Sequence, residues 1–520
     1  MNRSAVQQAL VSGLLILASF SATVPPAKAA TQHEQHGPMI AQPAHGAANG
    51  KCLSAVLNAQ ESSPTGRYTI TMKPSDKRLV LIEAKVRTGG DGLLMYPEGA
   101  SHVAEGWATY IRNLKAFDRQ GSPILLEGSG PGAWRVPDQF RGREIGLSYE
   151  VLLHHDVGET WPFGWDEAAY VKGDAIFLTG KALFITALDM QSVRVDFDIP
   201  KKWKLVTPWL QGCDERSYHV KDTIELTESG HFIGEFTHSR VTAAGATVEI
   251  GLGKALAKSA PLIEGVLKSS LSTAARMLGP VPDQTFAVIA DLEPKYSGGG
   301  TFVRSVSMLF QEPPMLANRD EWGHIVTHEL LHLWLGGAVE PAAEQEYWLT
   351  EGFTDYLSNL VELRSGLITE ARFWQRVREH HAKYLKQAGT VSLRDAGLQK
   401  GTYYDLVYSG GFLAALALDV EMRQSSKLAH GVPDLVRALN AEFGGRARFS
   451  PGDVARLATQ LSGRDIAPFI RDYILGVKPL PIEHSLGAMG LSLNPRVKAR
   501  SATSAKLDRL RNVLLRGDGN

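Results

Sequence analysis

His328-Glu329-Leu330-Leu331-His332 calls for a helix. Residues four apart lie one above the other on a single helical face. His328 and His332 then aim two imidazoles at one point, with Glu329 beside them. That is the pattern of a zinc centre whose glutamate activates a water. The flanking residues read as helical too. Asn318 or Asp320 can cap the start, Ile325, Val326, Leu330, Leu333 and Trp334 supply apolar faces, and Gly336-Gly337 ends the run.

A tetrahedral catalytic zinc takes a third protein ligand and keeps one position open for water. Glu351 is the candidate, in a second helical pattern that ends at Ser365-Gly366. Asp355 lies one turn further on the same face, where a carboxylate can accept the remaining ring N–H of a zinc histidine. Gly352 removes a side chain where two helices could approach closely. The residues therefore describe one Zn2+ ion held by His328, His332 and Glu351, with Glu329 as base. His324 extends the histidine stripe by a turn. Three collinear histidines cannot wrap a tetrahedral ion, so His324 is read as an outer partner or a solvated side chain.

The 520 residues are enough for two or three domains. Lys plus Arg and Asp plus Glu both number 55, so no global field draws nucleic acid or an anionic membrane. Residues 1–29 read as a signal peptide: Arg3 starts it, Leu10 to Phe20 form a short apolar run, and Ala27-Lys28-Ala29 offers a cleavage site before Ala30. An exported protein, periplasmic or extracellular, is expected, with no membrane span after cleavage. Residues 30–50 carry His33, His36 and His45 among glycine and proline and read as a flexible leader. The two cysteines, Cys52 and Cys213, form no metal motif; in an oxidising compartment they could pair, and the alternative is two buried thiols.

The chain is expected to be α+β and multidomain. Residues 51–250 read as an all-β, sandwich-like domain, from alternating runs at 67–72, 78–86, 145–151, 175–178 and 193–197. Trp134, Trp161, Trp165, Trp203 and Trp209 are read as core and edge residues rather than a sugar platform. Residues 251–368 read as a thermolysin-like catalytic domain. It has a helix over 253–278, a strand at 286–290, a turn at Ser297-Gly298-Gly299-Gly300, and an extended run from Thr301 to Phe310. Residues 369–497 read as a helical domain, with helices over 369–388, 410–424, 433–443, 451–461 and 465–475. Residues 498–520 form a basic tail, with Lys506 to Arg516 read as a solvated helix.

Two zinc histidines followed nineteen residues later by a glutamate resemble the gluzincin peptidases. Glu351-Gly352-Phe353-Thr354 and Leu363-Arg364-Ser365-Gly366-Leu367-Ile368-Thr369 are most similar to the glycyl aminopeptidase family. In the β region, Met95-Tyr96-Pro97-Glu98-Gly99, then Ala116 to Gly121, then Trp134-Arg135-Val136 keep that family's order of landmarks. Phe469 to Gly476 and Leu480 to Leu491 resemble its closing segments, and too few residues remain for the PDZ domain many relatives carry. The resemblance implies that Tyr408, ahead of Ser409-Gly410-Gly411, donates to the oxyanion, with Tyr403 and Tyr404 as the nearest rivals; relatives have lysine where Gly410 stands. It also implies a cleft-edge strand in which Gly299, Gly300 and Thr301 bind the peptide main chain. Relatives place a glutamate after the glycines to hold the substrate's free amine. Thr301 stands there instead, no acid occurs between Gly298 and Phe310, and Glu293 or Glu312 would have to substitute from elsewhere.

Three functions follow. An exported zinc aminopeptidase on peptide or protein substrates comes first. An endopeptidase, or an enzyme for blocked peptides, is favoured by the missing acid. A peptide-binding protein with a structural zinc is disfavoured by Glu329, since a structural site needs no base and is closed by four protein ligands. Side-chain preference and oligomeric state have no sequence signal here.

Overall fold

The computed structural model describes residues 65–89, 92–97, 99–100, 102–155, 168–187, 190–493 and 505–517. Residues 1–50, read above as a signal peptide and leader, lie outside them, as do Cys52, Trp161 and Trp165. Cys213 is disulfide-bonded.

The amino-terminal part is built on an eight-stranded sheet. Its central strands are Gln191–Asp198, Gly66–Lys73, Asp76–Arg87 and Glu144–Leu152, paired in that order. All neighbours run antiparallel except Gly66–Lys73 beside Gln191–Asp198. Period-two alternation puts Tyr68, Ile70 and Met72 inward, and Ala84, Ile82 and Val80 opposite them. A four-stranded sheet of Lys204–Val206, Gly230–Gly234, Ala175–Thr179 and Tyr170–Lys172 covers that face, as the sandwich reading expects. Trp203 and Trp209 are buried in this core.

The smaller sheet is buried on both sides. Ile176, Leu178 and Ile233 face the eight-stranded sheet, while Phe177 and Phe232 face Ala287, Ile289, Phe302 and Leu309 of the next domain. A strand covered on both faces reads as a continuous apolar run, which is why Ala175 to Leu178 shows no alternation.

That next domain holds a five-stranded sheet in the order Thr237–Ala243, Ala246–Leu252, Thr285–Leu292, Ser305–Phe310, Gly298–Phe302. The expected boundary at 250 falls inside one of these strands. Pairing assigns residues 237–252 to the catalytic sheet, because Ala246–Leu252 runs parallel to Thr285–Leu292. The expected glycine turn is also corrected. Gly298 to Gly300 form the antiparallel edge strand, and the turn falls at Val303-Arg304, where Arg304 has φ 55°.

Helix Ala260–Leu278 packs against this sheet and against the motif helix, Arg319–Leu331. Asn318 precedes the motif helix but makes no side-chain cap; its Oδ1 accepts from the Met315 N–H instead. The acidic helix, Gly352–Arg364, and the tyrosine helix, Gly411–Ser425, complete the centre of a large apolar core. Helices Glu370–Tyr384, Val432–Phe443 and Pro451–Ser462 follow near the expected places. Among the described residues, no helix is long and apolar enough to cross a membrane.

The tail helix, Ala505–Arg516, is not solvated. Leu510, Val513, Leu514 and Leu515 are buried, and Arg364 donates to the Leu514 and Leu515 carbonyls at 2.8 and 3.0 Å. Leu514→Ala should cost about 2–5 kcal/mol, as a core truncation does. Urea unfolding measures it; a loss below about 0.5 kcal/mol, typical of a surface site, would return the tail to solvent.

Candidate metal centre

Two helices deliver the metal donors. His328 Nε2 and His332 Nε2 are 3.2 Å apart. Glu351 Oε2 stands 3.3 Å from the first and 3.5 Å from the second. Donor atoms bonded at about 2.1 Å to a tetrahedral zinc stand about 3.4 Å from one another. The three spacings fit that figure. His332 Nδ1 donates to the Leu335 carbonyl at 2.9 Å, which leaves Nε2 as the lone-pair nitrogen. Two ring nitrogens and a carboxylate oxygen converging at these spacings make a donor set that suits zinc.

Glu351 stands at the start of the acidic helix, and Gly352 beside it lets that helix press on the tyrosine helix. A Cβ on Gly352 would lie 2.3 Å from the Gly411 Cα. The other Glu351 oxygen, Oε1, accepts from Lys400 Nζ at 2.7 Å. Burial opposes ionisation of Glu351, but Lys400 and the two histidines overcome it and hold the carboxyl well below its usual range. The Lys400 ammonium also sits 4.5 Å from the Tyr347 ring centre and 5.4 Å from that of Tyr408. Sequence reading missed Lys400. It lies 49 residues from Glu351, in a loop with no periodic relation to it.

Glu329 is buried, and its carboxylate meets the edge strand, where Thr301 Oγ1 is 3.1 Å from Oε2. Gly299 is packed on the same side chain. Tyr408 stacks near His328, with ring centres 6.2 Å apart, and its hydroxyl hydrogen-bonds Glu351. Burial, then the nearby Glu351 charge, pushes the Tyr408 phenol up, so it stays a donor. Tyr404 stacks on Tyr408 at 4.3 Å. A Cβ on Gly410 would sit 2.5 Å from Leu393 Cδ2, so the lysine of the resemblance would require the Leu393 side chain to shift.

Asp355 lies behind the donors but is engaged differently from the expectation. Its Oδ1 accepts from His324 Nε2 at 3.0 Å, and Oδ2 lies 3.5 Å from His380 Nε2. A His328 ring nitrogen is within 4.8 Å of the same carboxylate. His324 is thus an outer partner: Nδ1 donates to Glu362 at 2.6 Å, and Arg376 bridges Glu362 to Asp320. With carboxylates at both nitrogens, His324 is an imidazolium. Burial opposes its charge, but Glu362 and Asp355 overcome this and raise its pKa from 6.5 to about 9. Its stabilising contribution is therefore complete below pH 6.5 and lost as the pH rises through about 9. We expect wild type to exceed His324→Gln by about 1–2 kcal/mol at low pH, after solvent screening of the partly exposed ring. Denaturant unfolding at pH 6 and pH 10 should show that gap closing; a constant gap would contradict the assigned charge.

Glu293 does not stand free to replace the missing acid. It is paired with Lys172, which holds its carboxyl low despite some burial. Glu312 is exposed just beyond the strand Ser305–Phe310.

A three-donor His/His/Glu centre with a glutamate beside it, at the edge of a mixed sheet, is the architecture of a metallopeptidase. Residues 67–235 match the Peptidase M61 N-terminal domain, and residues 297–402 match the Peptidase family M1 domain. The first match ends where the smaller β-sheet ends; the second spans Gly299 to Lys400. Human aminopeptidase B is 30% identical over 157 residues, covering 28% of this chain and 24% of that protein. Leucine aminopeptidase 2 of Aspergillus oryzae is 33% identical over 72 residues, or 14% of this chain and 11% of that one. The chain thus spans about a quarter or less of the curated relatives it matches. An aminopeptidase N family protein from Idiomarina loihiensis shares the fold with TM-score 0.70 at 18% identity, covering 82% of this chain and 78% of that one. An M1 zinc metallopeptidase from Deinococcus radiodurans, solved with a Tyr-Ser-Ala substrate, superposes with TM-score 0.57 at 14% identity over 80% and 95% of the two chains. These findings support a metallopeptidase of the M1/M61 kind.

Proposed function

We propose that this protein is an exported zinc metallopeptidase that hydrolyses peptide bonds, with aminopeptidase action as the first reading. The convergence of His328, His332 and Glu351 at 3.2–3.5 Å carries the proposal. When bound, zinc polarises the peptide carbonyl and lowers the pKa of a water. Glu329 takes that water's proton and returns it to the leaving amine. Tyr408 donates its hydroxyl to the developing oxyanion. The free edge of Gly298–Phe302 pairs with the substrate main chain and orients it without reading side chains.

Endopeptidase action, or action on blocked peptides, is the second reading. It is favoured by Thr301 standing where an amine-binding acid is expected, and by Glu293 being held by Lys172. Zinc-loaded protein given peptides with free or acetylated amino termini separates the two by mass spectrometry. Single-residue removal from the free set alone means an aminopeptidase. Internal cuts in both sets mean an endopeptidase. No cut in either set, with zinc confirmed, would sink the peptidase reading.

Export is proposed from the signal-like residues 1–29. Amino-terminal sequencing of protein recovered from periplasm or medium should begin at Ala30. A chain that keeps Arg3 in the recovered protein would end that part of the proposal.

A further inference from the structure

The edge strand carries a second role, argued here on the reading that Glu329 is the base. The motif helix ends early. The Leu333 N–H bonds to the Leu330 carbonyl at 3.2 Å, so it is not spent on Glu329 one residue before. The last carbonyls of a helix lack intrahelical partners and need others. The Thr301 hydroxyl lies 3.1 Å from the Glu329 carbonyl oxygen and 3.1 Å from its Oε2. One side chain from the neighbouring strand therefore touches both the backbone and the carboxylate of one residue.

Gly299 completes the contact. A Cβ there would lie 2.4 Å from Glu329 Cγ and 2.8 Å from Oε1. The strand can pass this close only because the position is glycine. In a pleated strand Gly299 and Thr301 point to the same face, so backbone and hydroxyl close on Glu329 together. A hydroxyl has one proton, and a carboxylate is the stronger acceptor of the two.

We propose that Thr301 is the positioning residue for Glu329. Its hydroxyl donates to Oε2 and fixes the carboxylate rotamer, leaving Oε1 to meet the water. The place expected to bind the substrate's amine is given over to orienting the base, so loss of Thr301 acts on turnover and not on amine recognition.

The test compares wild type, Thr301→Val, Thr301→Ala, Thr301→Ser and Glu329→Gln, all zinc-loaded, on free and acetylated forms of a cleaved peptide. Zinc content and melting temperature are measured for each. A hydrogen bond to a charged group supports a fall in kcat of about tenfold or more for Thr301→Val and Thr301→Ala, with KM within about twofold. The fall should be equal on every form that wild type cleaves, and Thr301→Ser should return kcat to within about threefold. If Thr301→Val folds poorly, the alanine and serine variants make the same comparison. A raised KM confined to free-amine peptides would overturn the proposal in favour of substrate binding. So would full turnover of the alanine variant beside an inactive Glu329→Gln. Wild-type turnover by Glu329→Gln would instead overturn the reading of Glu329 as base.

Discussion

Glu329→Gln is expected to keep zinc and to lose turnover by about a thousandfold. Glutamine preserves the shape of the side chain, so Thr301 and Gly299 can still close on it. What it lacks is the capacity to take a proton. The donors His328, His332 and Glu351 are untouched, so zinc measured by atomic absorption should remain near one per chain. KM should change little, because the substrate's grip rests on the edge strand. Near-wild-type kcat in this variant would end the proposed mechanism. Lost zinc would show instead that Glu329 helps hold the metal site together.

The second large effect is structural. Gly352→Ala is expected to cost about 3 kcal/mol. The added Cβ would meet the Gly411 Cα at 2.3 Å, its carbonyl carbon at 2.5 Å, and the Phe412 nitrogen at 2.9 Å. All are backbone atoms and cannot rotate away. Relief needs the acidic and tyrosine helices to separate, which moves Glu351 at the head of one and Tyr408 just ahead of the other. Zinc retention after dialysis should fall with stability. Unfolding at the wild-type urea concentration would show that the helices do not pack this closely.

Much of this arrangement was legible beforehand, for reasons tied to period. His328 and His332 are four apart, as are Glu351 and Asp355, so helical geometry alone aligns each pair. The strands at 67–72 and 193–197 alternate because one face is wet. Gly352 was readable as a close approach, though its partner Gly411 was not. Thr301 and Lys400 were harder. Each meets its partner across a fold, 28 and 49 residues away, where no local spacing registers. The triple glycine misled because glycine ordinarily marks turns. Here its missing side chain serves a strand that must pass beside Glu329. The tail misled because its charges were weighed above the spacing of Leu510, Val513 and Leu514, which falls on one helical face.

The four-stranded sheet of residues 170–234 has no outside. One surface belongs to the eight-stranded sheet and the other to Ala287, Ile289, Phe302 and Leu309. It works as a party wall between two houses, and neither can be sold separately. A catalytic half expressed from residue 237 onward would present a bare apolar surface reaching to the strand beside Glu329, and would aggregate or sag there first. A chimera with a foreign β half would need new side chains opposite Phe302 and Leu309, not merely a matching linker.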